Sequence, residues 1–167
     1  MPLKSTIKKA AAAKRKGEAP STQAGAFVQE EIEKIRKGKH GARSAKQAIA
    51  IGLSQARRAG VDLKPPKKGT VSEKTRKSAE SAYKKGQAHE PVSRTRSAAR
   101  EKALQKEPTT TVSHEALSRQ AKTAAQKRTA AARTAAAKKA ARTKGTTGRS
   151  MAAKKAARSR KMQQTAM

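Results

Sequence analysis

The chain has 167 residues, with 42 Lys or Arg against 11 Asp or Glu, a formal net charge of +31. Leu, Ile, Val and Phe together number only 16, and 36 of the residues that count as hydrophobic are Ala, a balance on the disordered side of the usual composition range. These figures exclude a large apolar core, and the absence of Cys excludes a disulfide framework, a thiol nucleophile and a Cys-ligated zinc site.

The expected fold class is mostly α with extensive disorder, because alanine forms helix readily yet buries little area. Four segments are predicted: a basic disordered arm at 1–20, a helical hairpin module at 21–63, a basic connector with weak helices at 64–115, and an Ala/Lys/Arg-rich tail at 116–167. No apolar run approaches the roughly 20 residues of a membrane span, and residues 1–20 lack the apolar stretch of a signal peptide.

The arm places Lys14, Arg15 and Lys16 just before Gly17 and Pro20, with a nascent, mobile helix over 4–16. In 21–63 the net charge falls to +4 and nine of the large apolar residues gather. A first helix is predicted over about 25–37, where Val28, Ile32 and Ile35 share one face. Glu30, Glu31 and Glu33 read as a solvated face, and Gly38 and Gly41 break the chain. A second helix starts at a Ser44–Gln47 capping box. It carries Ala48, Ile49, Gly52, Leu53 and Ala56 as its stripe and stops at Gly60 in a Schellman turn. Ile51 points off that stripe, towards a second contact or a partner. So small a hairpin is marginal alone, and Val28, Ile32, Ile35, Ile49 and Leu53 are the candidate dimerisation face. Its polar face carries Lys46, Gln47, Gln55, Arg57 and Arg58.

The connector predicts helices over about 72–85 and 93–106, the first supported by Glu73–Lys77 and Glu80–Lys84 pairs. An alanine-rich helix follows over about 113–143, then a hinge at Gly145 and Gly148 and a last helix over about 150–161. Ala-Ala-Lys-Lys-Ala-Ala-Arg at 136–142 recurs at 152–158. After Glu115 there is no acidic residue at all, while 15 Lys and Arg remain.

The repeats at 136–142 and 152–158 resemble the C-terminal tails of linker histones and of bacterial histone-like proteins. A second resemblance lies at Ala45-Lys46-Gln47-Ala48-Ile49-Ala50-Ile51-Gly52-Leu53-Ser54-Gln55-Ala56. It is similar to the Lys-Gln-Ala-Ile-Ala-Ile-Ala-Leu-Ser motif of a small bacterial family, a domain of unknown function, with Lys39-His40-Gly41 also fitting. Gly52 stands where that motif more usually has Ala. The resemblance implies a bacterial cytoplasmic protein and no particular activity.

Nothing assembles into a catalytic or metal centre. His40, His89 and His114 lie in three segments without a second ligand at helical spacing, and Gly38-Lys39-His40-Gly41 lacks the pattern of a phosphate-binding loop. No cofactor and no small-molecule substrate are implied. Neutralising phosphates needs dense basic side chains, which the tail supplies with Arg119, Lys122, Lys127, Arg128, Arg133, Lys138, Lys139, Arg142, Lys144, Arg149, Lys154, Lys155, Arg158, Arg160 and Lys161, joined by Lys14, Arg15 and Lys16 from the arm. With Phe27 and Tyr83 the only aromatic residues, stacking on single strands is not the method. The expected partner is duplex DNA, bound without sequence readout in a bacterial nucleoid. RNA or the ribosome, and a protein partner of the hairpin, remain the alternatives.

Overall fold

The computed structural model of the chain describes residues 2–165, apart from the side chains of 144, 160, 161 and 163–165. Every element is helical: α1 (Lys4–Arg15), α2 (Pro20–Arg36), α3 (Ala45–Arg58), α4 (Glu73–Gln87), α5 (Arg94–Gln105), a 3-10 turn (Thr110–Val112), α6 (His114–Gln126) and α7 (Ala130–Thr165). Among the described residues there is no strand. Two compact units divide the chain, Met1–Gln120 and Ala121–Met167.

The mostly α expectation holds, whereas the extensive disorder does not. Residues 1–20 are no mobile arm: α1 packs on α2 and buries Thr6 and Ala10. The connector is not loose either, because α4 packs on α3 through Ala79, Ala82 and Gly86. The expectation failed because it judged packing by large side chains. Here alanine and glycine faces bring helices close, and buried polar groups hold what little apolar area remains.

The centre of the first unit is the α2–α3 pair. One apolar cluster joins Ala10, Ala24, Phe27, Ala56 and Val61, with Leu53 and Leu63 against it; a second joins Ile35, Ala42, Ala48 and Val112, with Ile32 against it. The hairpin is thus real, but its apolar face is used within the chain. Ile35 is completely enclosed, Val28, Ile32, Ile49 and Leu53 are half-buried, and α1, α4 and the 3-10 turn cover the hairpin.

Three glycines permit backbone-on-backbone packing. A Cβ on Gly52 would lie 2.7 Å from the Val28 Cα and 2.9 Å from its N, so α2 and α3 cross there with no room for alanine. A Cβ on Gly86 would meet the Arg57 carbonyl oxygen at 1.8 Å, and one on Gly41 the Glu107 carbonyl oxygen at 1.8 Å. Gly41 N also donates to Leu104 O at 2.9 Å, and Ala42 N to Pro108 O at 3.0 Å, which stitches the α2–α3 turn to the segment after α5.

Helix ends follow their sequence signals. Ser44 Oγ accepts from Gln47 N at 3.2 Å, while Gln47 Oε1 reaches back one residue further than a capping box requires, to Arg43 N at 2.7 Å. At the far end of α3, Gly60 N donates to Arg57 O and Val61 N to Ala56 O, both at 3.1 Å, the bond pair of a Schellman turn with Gly60 at φ 84°. The same pattern ends α4, where His89 N donates to Gly86 O and Glu90 N to Lys85 O, but with His89 in the left-handed region at φ 52°.

The single helix expected over 113–143 is two. α6 ends at Gln126, and Thr129 restarts the chain by accepting from Ala132 N at 3.2 Å. Within α7 only Gly145 leaves helical geometry, at φ 64° and ψ −178°. Gly148 is helical, so the hinge is one residue rather than two.

Candidate nucleic-acid interface

The acidic residues explain the interface better than the basic ones do, because the fold engages most of those in the first unit. Glu30, expected on a solvated face, is buried and accepts from Leu3 N at 3.0 and 3.1 Å, capping α1 from the side of α2. Its carboxyl also takes Lys34 as an ion-pair partner. Burial pushes that carboxyl up, but bonds from Lys34, Thr6 and Leu3 outweigh it and hold the group below the usual carboxylate range. Glu31 is 1% exposed and accepts from Gln55 Nε2 at 2.8 Å. His40 lies against Glu31 with Nε2 3.4 Å from Oε1, while its Nδ1 is 3.1 Å from Gly41 O. Both ring nitrogens therefore face oxygen. Glu33 alone of the three keeps an exposed position.

Four further acids find partners nearer the surface. Glu73 pairs with Arg76 rather than Lys77, and Glu80 with Arg76 at 3.3 Å and Lys84 at 3.0 Å. Arg43 meets Glu107 at 3.2 Å, and Tyr83 donates to Asp62 at 2.6 Å. Two side chains on the predicted polar face of α3 also have structural duties. Arg57 is buried, donates to Leu63 O at 2.9 Å, and has its guanidinium pKa lowered by that burial. Gln55 is held by Glu31, and neither side chain is available to read a base edge. Ile51, off the main stripe, lines a shallow groove with Arg100, Ala103 and Leu104.

The predicted phosphate-binding residues fall into two groups. Lys14, Arg15 and Lys16 are exposed at the C-terminal end of α1, where the helix dipole favours cations. With Arg119 on α6 they belong to the first unit. Lys122 is on α6, Lys127 and Arg128 lie in the break after it, and Arg133, Lys138, Lys139, Arg142, Arg149, Lys154, Lys155 and Arg158 are exposed along α7. Arg149 donates Nε to Gly145 O at 3.1 Å across the interruption. Lys144, Arg160 and Lys161 lie outside the residues whose side chains are described. The described bases of α7 all sit exposed along one helix.

The same stretch of sequence carries a longer repeat than the seven-residue one. Arg133–Lys144 and Arg149–Arg160 match at eight of twelve positions, and three of the other four exchange Thr for Ser or Lys for Arg. The copies sit on either side of Gly145, and equivalent residues make equivalent bonds: Thr143 Oγ1 donates to Lys139 O at 3.0 Å, and Ser159 Oγ to Lys155 O at 3.1 Å. In each copy two lysines and an arginine, Lys138, Lys139 and Arg142 or Lys154, Lys155 and Arg158, stand at i, i+1 and i+4, so the arginine neighbours both lysines on the helix surface.

No family model, curated protein or solved structure matches the chain. The likenesses at 45–56 and in the tail thus rest on those residues alone.

Sequence reasoning placed the α5 helix but left its bases out of the candidate interface; α5 buries nothing and exposes Arg94, Arg96, Arg100 and Lys102 around one acid, Glu101. Its signal was the lack of any apolar periodicity between Pro91 and Pro108. Among the described residues no helix is long and apolar enough to cross a membrane.

Proposed function

We propose that this chain binds duplex DNA through its phosphates, without reading base sequence, in the manner of a histone-like protein of the bacterial nucleoid. The observation that supports this most is the second unit: 14 Lys and Arg, no acid, and bases one helical turn apart that repel one another until an anion lies across them. Counterion release from DNA supplies the driving force. The first unit contributes a basic surface of its own, since most of its carboxylates are engaged by partners within it. Its α2–α3 hairpin serves as the rigid body to which the bases are attached, and any self-association would use a surface other than the enclosed Ile35.

A salt-dependent gel shift tests the reading. With on the order of ten phosphates neutralised, log affinity should fall against log salt with a slope near about −9, and a chain ending at Gln126 should lose most of that slope. A slope near zero in the whole protein would refute phosphate binding. Structured RNA winning over duplex DNA of equal phosphate count would move the reading to an RNA-associated protein.

A further inference from the structure

The twelve-residue repeat and the break between its copies have a joint meaning. The copies are offset by sixteen residues, which on an uninterrupted α-helix is about 4.4 turns, so the second Lys-Lys-Arg triad would face about 160° away from the first. One duplex lying along such a helix could touch only one triad. Gly145 removes that constraint. Its φ of 64° with ψ of −178° belongs to a region open essentially to glycine alone. No atom lies within 4 Å of where its Cβ would be. Space does not demand glycine at this position, as it does at Gly52, Gly41 and Gly86; only the backbone conformation does.

We infer that α7 is a two-armed phosphate clamp: Lys138, Lys139 and Arg142 form one arm, Lys154, Lys155 and Arg158 the other, and Gly145 frees both to close on the same DNA duplex. The inference rests on the duplex-binding reading and adds to it a geometry, in which binding is bivalent within one molecule. Two linked sites that reach one ligand gain affinity through effective concentration, and lose that gain when geometry forbids joint engagement. The two copies keep their bases and their hydroxyl bonds while the residue between them breaks phase, which an unpatterned polycation would have no reason to do.

The experiment holds charge constant and changes only phase, using the whole protein and a 40-base-pair duplex. Gly145→Ala with Gly148→Ala should make one straight helix, seen as a gain in helical circular dichroism, with the triads opposed. Its salt slope should become shallower by about 2.7, the share of three phosphates, and it should now carry a labelled duplex onto a bead-bound one. Deleting Thr146 and Thr147 in that variant sets the triads fourteen residues apart, about 40° out of phase. This second straight helix should recover the wild-type slope and lose the cross-linking. If both straight variants bind with the wild-type slope, or neither gains helicity, the clamp is overturned while phosphate binding stands. If the wild-type protein itself shows no salt dependence, the duplex-binding reading fails and the clamp with it.

Discussion

Replacing Gly52 by Ala separates two lines of reasoning that predict opposite signs. Judged by helix propensity, the change gains about 1 kcal/mol in the middle of α3. Judged by packing, the new methyl would stand 2.7 Å from the Val28 Cα, 2.9 Å from Val28 N and 3.1 Å from Phe27 O. All three are backbone atoms of a neighbouring helix, so no side chain can turn aside. Ordinary contact begins at 3.4 Å, and α2 would have to move by roughly 0.7 Å, lifting the wholly buried Phe27 and Ile35 from both apolar clusters. Overpacking of this kind costs about 1–3 kcal/mol. Net of the propensity gain the variant should lose up to about 2 kcal/mol, at about 4 °C of melting temperature per kcal/mol for a domain of this size. Thermal and urea unfolding of the full chain, followed by circular dichroism, measure it. A variant that melts higher than wild type would refute the close-crossing account and restore the view of Gly52 as a weakened alanine.

Three other expectations follow from the first unit. His89→Gly should stabilise the chain by about 0.5–1 kcal/mol in urea melts, because it relieves a left-handed residue in the Schellman turn after α4. Glu30 has a carboxyl pKa below its unfolded value, so it contributes stability that is complete above about pH 4.3 and is lost as pH falls through the folded value; Glu30→Gln should flatten that part of the stability–pH curve and cost about 1–3 kcal/mol at pH 7. His40→Ala removes the imidazole that faces the buried Glu31 carboxylate, and a loss of about 1–3 kcal/mol is expected in the same assay.

Local structure was legible wherever a chemical signal is itself local. Ser44, Ser72 and Ser93 accept bonds from the residues three ahead of them, and Gly60 ends α3 as its position predicts. The hairpin, the connector helices and the basic tail were readable for that reason. What the residues withheld depends on sequence-distant partners: Glu30 on Leu3, Arg36 Nε on Val112 O at 3.1 Å, Thr111 Oγ1 on Ala42 O at 2.7 Å. A buried glutamate and a solvated one look alike in a helix, and a glycine that permits a crossing looks like one that weakens a helix. The same blindness turned a packed α1 into a mobile arm. At the interface, the identity of the bases was legible, but the broken phase between the two repeats was not, since Gly145 and Gly148 give the same signal and only one of them is a break.

The engagement of Glu30, Glu31, Asp62, Glu73, Glu80, Glu90 and Glu107 within the first unit also bears on what competes for the tail. In an unfolded chain those carboxylates would be free to act as tethered counterions for the lysines and arginines after Glu115, present at a high local concentration and displaced by DNA only at a cost. Folding commits them to helix caps and to neighbours in their own unit. Synthesis proceeds from the N-terminus, so they precede every residue of the tail and can be committed before it exists. The folded chain thus withdraws its own internal competitor, and a variant that melts the first unit should bind duplex more weakly although every tail residue is intact.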